Sequence, residues 1–171
     1  MGRVIARVWR KVGAVLGLGA EADVAGYQAK TKVEDQPLAA FLEAVAPPNR
    51  QAEARVLAAL FAEVTGFAPR VYTGGMVGFG RYDYTYESGH SSTSFATSFA
   101  TGFAPRKADL SIYLAPGFVQ VSPILSRLGK HRIGKGCLYL KHLSDADLAV
   151  LREVIAAGLE ELRMRWPVSA G

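Results

Sequence analysis

Lys107-Ala108-Asp109-Leu110-Ser111-Ile112-Tyr113-Leu114 alternates in character, with Leu110, Ile112 and Leu114 on one side and Asp109, Ser111 and Tyr113 on the other. Side chains of a β-strand point to opposite faces in turn, so this stretch predicts a strand with one buried face. Pro116-Gly117 then turns the chain. Upstream, Arg81–Tyr86 has the same period, with Tyr82, Tyr84 and Tyr86 alternating with Arg81, Asp83 and Thr85. Glu87-Ser88-Gly89-His90-Ser91-Ser92 reads as a turn or loop. A short internal repeat follows, Ser94-Phe95-Ala96-Thr97 then Ser98-Phe99-Ala100-Thr101, echoed by Gly102-Phe103-Ala104. Its even length predicts that Phe95, Phe99 and Phe103 point to one side of a strand. In the glycine-rich run Gly75–Gly80, the glycines suggest bulges or close backbone approach.

On either side of this strand-rich middle the period lengthens to that of a helix. Asp35-Gln36-Pro37 starts one, with Leu38, Phe41, Leu42 and Val45 as its apolar stripe, and Pro47-Pro48 ends it. Asn49 is the expected cap of a second, in which Val56, Leu57, Leu60, Phe61 and Val64 share a face and Gly66 closes the end. After the strands, Ser122-Pro123 opens a short helix stopped at Gly129, and Cys137–Lys141 is a last strand. Ser144 is the expected cap of the final helix, with Asp147 completing a capping box and Leu148, Leu151, Ile155, Leu159 and Leu162 as its buried stripe. Helices segregated from hairpin-connected strands predict an α+β fold, an antiparallel sheet with N- and C-terminal helices packed on it. A doubly wound parallel sheet is not expected.

The 171 residues, half of them hydrophobic, are enough for one core and too few for two ordinary domains. Residues 30–165 are expected to form a single domain, preceded by an extension at 1–29 and followed by a tail at 166–171. The lone cysteine, Cys137, excludes an internal disulfide framework, which fits a reducing, cytoplasmic setting. No apolar run approaches the roughly 20 residues that span a bilayer. The net charge of +5 leans toward anionic ligands or partners.

Residues 3–16 are amphipathic at helical spacing: Val4, Ile5, Val8, Trp9, Val12, Val15 and Leu16 oppose Arg3, Arg7, Arg10 and Lys11. Such a helix packs on the domain or on a second copy of the chain, as a homodimer would use it, or touches an anionic membrane surface. A signal peptide is a third option, but Gly13 and Gly17 interrupt an apolar stretch already at the minimum length.

The densest cluster of candidate chemistry is Gly129-Lys130-His131-Arg132-Ile133-Gly134-Lys135-Gly136. It nearly matches the phosphate-binding loop G-x-x-x-x-G-K-[ST]. That motif needs a strand before the loop and a helix after it, so that the helix N-terminus faces the phosphate. Here the order is reversed, and Gly136 stands where a magnesium-ligating hydroxyl belongs, so an NTPase is rejected. What stays is a set of cations between glycines that let an anion approach the backbone. Lys141 and His142 follow the next strand, and Arg106-Lys107 begins the neighbouring run. If those strands pair, a basic patch edged by Tyr113 and Tyr139 results. Solvated loop charges with turn glycines explain the same residues without a ligand.

Cys137 is most simply a small buried hydrophobe, and a nucleophilic role would need His131 or His142 beside it. The histidines and the cysteine have no recognised metal-ligand spacing. Nucleic acid ranks behind a small ligand, because the aromatic residues lack a single-strand-binding pattern.

Four ordered segments carry a family resemblance: Val77-Gly78-Phe79-Gly80-x-Tyr82-x-Tyr84, Gly102-Phe103-Ala104-Pro105-Arg106-Lys107, Tyr113-Leu114-x-Pro116-Gly117-Phe118, and Leu128-Gly129-Lys130-His131-x-x-Gly134-Lys135-x-Cys137-Leu138-Tyr139-Leu140-Lys141. From about Lys30 to Glu161 the chain resembles the YdhG-like domain family, a bacterial family of unknown function described as α+β and frataxin-like. The resemblance implies Lys107, Lys130, His131, Lys135 and Tyr139 as the positions to carry over. It also implies an alternative role, since one branch is associated with intracellular iron delivery for cofactor assembly. The chain departs from the pattern at Gly136, where serine is expected, in the Phe-Ala-Thr duplication, and in its first 29 residues. Iron prefers carboxylates, whereas this chain is net basic; the acids that could cluster are Glu34, Asp35, Glu43, Asp145, Asp147 and Glu153.

The leading expectation is a non-enzymatic domain with a basic, aromatic-edged pocket for a small anionic or phosphorylated ligand. It requires no cofactor and assigns no catalytic residue. Lys107, Lys130, His131, Lys135, Tyr139 and Lys141 are the candidate ligand-binding residues, with Arg132 among them in the loop. An iron-binding chaperone is the alternative, and a thiol-dependent enzyme using Cys137 is the third class.

Overall fold

The computed structural model describes residues 31–85, 91–93, 99–114, 121–134 and 136–171. The amphipathic segment 3–16, Tyr86, the loop at 87–90, Phe95 with the first part of its repeat, Pro116-Gly117 and Lys135 lie outside the described residues.

The architecture is α+β. Helices α1 (Leu38–Ala44) and α2 (Pro48–Thr65) come first, followed by strands β1 (Pro69–Tyr72), β2 (Met76–Phe79), β3 (Arg81–Thr85), β4 (Ser91–Thr93), β5 (Thr101–Pro105) and β6 (Leu110–Leu114). A short helix α3 (Ser122–Leu125), β7 (Arg132–Ile133), β8 (Cys137–Leu140), a 3-10 turn (Leu143–Asp145), α4 (Leu148–Arg165) and β9 (Val168–Ser169) complete it. Six strands form one sheet in the order β1-β2-β5-β6-β8-β7, and every neighbouring pair is antiparallel. A second sheet has the order β4-β3-β9. Residues 166–171, expected as a tail, thus contribute β9, whose Val168 lies opposite Tyr82. No helix among the described residues is long and apolar enough to cross a membrane.

The long helices α2 and α4 cover one face of the six-stranded sheet. That face alternates as expected, with Val77, Phe79, Phe103, Leu110, Ile112, Leu114, Leu138 and Leu140 all buried. From α2, Phe61 stacks on Phe79 at 5.2 Å between ring centroids and meets Phe103 at 5.6 Å. Leu151, Val154 and Ile155 of α4 join the same cluster. Gly66 ends α2 in the left-handed conformation, as its place in the sequence suggests.

Four local expectations need correction. Pro48 occupies the first turn of α2 and Pro47 precedes it without a side-chain cap, so Asn49 is inside the helix. Val56 is exposed, as is Leu148 of the final helix's expected stripe; in α2, Ala54 and Ala58 take part in the buried stripe instead. The final helix is capped by Asp147, whose carboxylate accepts from Ala149 and Val150, because residues 143–145 first make their own 3-10 turn. Ser144 therefore lies before the helix. Finally, Phe99 and Phe103 do not share a side. The chain bends at Phe99-Ala100 before β5 begins, which breaks the alternation. Phe103 enters the helix-side core, whereas Phe99 packs with Tyr72, Met76 and Ala104 on the other face.

Candidate functional site

The site is built from β6, β8 and β7 on the sheet face turned away from the helices. Because paired residues of an antiparallel ladder share a face, the register groups the side chains. Tyr113 lies opposite Cys137, Ser111 opposite Tyr139, and Arg132 opposite Tyr139 from the other side. Tyr113, Cys137 and Tyr139 are half-buried, and Ser111 is buried beneath them.

Tyr139 is the centre of this strip. The Arg132 guanidinium lies over its ring, 4.9 Å from the centroid, a cation–π arrangement. A second contact ties an Arg132 nitrogen to the Asp109 carboxylate at 2.8 Å. Gly134 lies close to the ring as well; a Cβ there would come within 3.0 Å of Cε2 of Tyr139. The neighbouring Cys137 side chain pushes the Tyr139 phenol above its ordinary range. On the Tyr113 side, Arg106 reaches the Tyr113 hydroxyl at 3.5 Å and also donates to the Gly74 carbonyl.

The other candidate residues take varied positions. Lys141 is exposed directly after β8, and its carbonyl accepts from Arg50 at 3.0 Å. Lys130 is exposed, with its amide bonded to the Asp145 carbonyl at 3.0 Å. His131 lies between Lys130 and β7, with Nδ1 turned back to the Gly129 carbonyl at 2.8 Å. Lys107 is exposed in the turn between β5 and β6. A cleft of about 370 Å³ lies elsewhere, lined by Glu34, Phe41, Val45, Gly75 and Arg106 among others, and none of the five described candidate residues lines it.

The glycine at the head of the basic run has a structural reason of its own. Gly129 has φ +106°, and a Cβ there would lie 2.1 Å from the Asp145 carbonyl oxygen. Leu128 accepts from Asp147 and Lys130 donates to Asp145, so this glycine closes the chain onto the turn before α4. It does not cradle a phosphate.

Two further pairs are not evident in the sequence. Asp109, which orients Arg132, stands out there only as a polar position on the outer side of β6. Arg50, only 3% exposed, bonds Glu53 at 2.7 Å, and Glu53 accepts from the Leu143 amide at 2.9 Å. This buried pair pins α2 to the corner after β8. Its one sequence signal is a basic residue in the first turn of a helix, where the dipole disfavours it. Among the described residues, no group of three or more His, Cys, Asp or Glu could hold a metal ion. Scans against protein-family models, curated proteins and solved structures each gave no match.

Proposed function

We propose that the chain is a non-enzymatic binding domain whose basic, aromatic-edged surface at β6, β8 and β7 takes a small anionic or phosphorylated ligand. One observation carries it: the pairing of β6 with β8, in a register that sets Tyr113, Cys137 and Tyr139 on one face with Arg132 laid on Tyr139. A stacked guanidinium presents a planar donor fork suited to carboxylate and phosphate oxygens. Lys130 and Lys141 supply further exposed positive charge close to β7 and β8 in the chain.

The likeness to YdhG-like and frataxin-like domains belongs to this proposal, as does a cytoplasmic setting, which the free Cys137 supports. The iron-chaperone alternative has no carboxylate cluster among the described residues behind it.

A thermal-shift screen against sugar phosphates, nucleotides and carboxylates tests the proposal. A ligand at about 100 times its Kd adds roughly 2.7 kcal/mol, which is several degrees in Tm. The expected hit loses most of that shift in Arg132→Ala and part of it in Lys130→Ala. Hits indifferent to both substitutions would place binding elsewhere.

A further inference from the structure

Arg132 is the most exposed member of the strip, at 66% of its side chain, yet its position is fixed from two directions. The Tyr139 ring supports it from below, and Asp109, at 26% exposure, takes one end of the guanidinium at 2.8 Å. An aspartate on a guanidinium has the same chemistry as a ligand carboxylate or phosphate, an oxygen acceptor with negative charge. The guanidinium has five N–H donors in one plane, and Asp109 holds its Nη2 end, so an oxyanion that pairs with that end meets Asp109 there.

We propose that Asp109 is a built-in competitor: its carboxylate holds the Nη2 end of the Arg132 fork, and an anionic ligand that binds that end displaces it while Arg132 stays on the Tyr139 ring. This rests on the function proposed above and adds its regulation. Affinity is set by the exchange of one anion for another, so it is held below what Arg132 alone would give. Tyr113, half-buried on the same face, offers an aromatic neighbour to a planar substituent.

The test is an NMR titration of the full chain with inorganic phosphate and with phenyl phosphate, following the Arg132 side-chain Nε–H and the Tyr139 ring. Asp109→Asn keeps size and removes charge, and its amide spectrum reports whether the fold is kept. Releasing an exposed ion pair is expected to tighten phosphate about two- to fivefold. The gain should vanish in the Asp109→Asn/Arg132→Ala double variant. Wild-type binding through Arg132 that is unchanged or weakened by Asp109→Asn overturns the competitor and leaves the binding surface standing. Tightening that persists without Arg132 also overturns it, since the charge would then act at a distance and not at the fork. No response at tens of millimolar in either the wild type or Asp109→Asn removes the binding surface and the competitor together.

Discussion

The two faces of the six-stranded sheet use the same strands and are completed in different ways. On the helix side, Val77, Phe79, Phe103, Ile112 and Leu138 are fully buried against α2 and α4, and branched or aromatic side chains fill the space. On the opposite side, Gly78 and Gly102 lie next to each other across β2 and β5. Their missing side chains make a slot that Phe99 fills: a Cβ on Gly78 would lie 2.4 Å from the Phe99 ring. Tyr72 meets that ring edge-on at 5.0 Å and Tyr113 at 5.6 Å. One face is thus closed by two helices; on the other, among the described residues, the Phe99 ring lies over glycines and gives way to half-buried Tyr113 and Tyr139 and to Arg132. The lesson is that alternation reports which side a residue faces, while what closes each side is decided by distant parts of the chain.

The largest expected effect asks whether the outer face is a second core. Phe103→Ala empties a site enclosed by Phe61 and its neighbours and should cost about 3–5 kcal/mol in urea unfolding. Phe99→Ala, equally buried, should fall at the low end of that range, about 3 kcal/mol, because Tyr72 and Tyr113 can close toward the glycines. Equal costs would break the comparison and make the outer aromatic cluster as tightly built as the inner one.

Much of the inner face is legible in the sequence because continuous alternation and helical periodicity both report a core directly. Leu110, Ile112 and Leu114 declare their side of β6, and Pro47-Pro48 and Gly66 mark the ends of the first two helices. The pairing of β6 with β8 stays conditional at that level, since sequence spacing does not choose strand neighbours. The strip around Tyr139 is legible in its parts and not in its assembly. Tyr139, Lys130 and His131 stand out as residue types, but β7 has only two residues, too few to show a period. Arg132 cannot be placed on Tyr139, or joined to Asp109, without that hairpin. Phe99 falls on the unexpected side for a related reason: parity holds only while a strand continues, and the bend at Phe99-Ala100 resets it. The glycines of the basic run suggest ligand access, whereas Gly129 is required by a contact with Asp145, which lies beyond both β7 and β8.

A medium-sized effect isolates the slot itself. Gly78→Ala inserts a methyl group into the Phe99 ring and should destabilise by about 1–3 kcal/mol, the usual cost of overpacking. In a Phe99→Ala background the same methyl group enters vacated space and should be close to neutral. The coupling between the two sites should therefore be about 1 kcal/mol or more in a double-mutant cycle. Additive costs would show that the ring and the glycine act separately, and that the glycine is needed only for the strand backbone.

The smallest effect separates the faces by their chemistry. The inner positions named above carry no titratable group, whereas Tyr72 on the outer face is buried, and that burial raises its phenol above the ordinary 10.0 against the opposing pull of Arg70 and Arg81. With the folded value above the unfolded one, the folded chain keeps a proton that the unfolded chain has begun to lose. Stability from this group is complete below pH 10 and declines as pH rises through the folded value. Tyr72→Phe retains the ring against Phe99 and should flatten that alkaline decline without changing stability at neutral pH by more than about 1 kcal/mol, the net worth of a hydroxyl hydrogen bond. Part of the decline should survive, because the neighbouring Cys137 side chain also raises the Tyr139 phenol. Urea midpoints measured from pH 8 to pH 11 in wild type, Tyr72→Phe and Tyr139→Phe would divide the slope between them. A slope untouched by both substitutions would mean that the outer face is not where alkali acts, and the contrast between an apolar and a titratable side of the sheet would have to be abandoned.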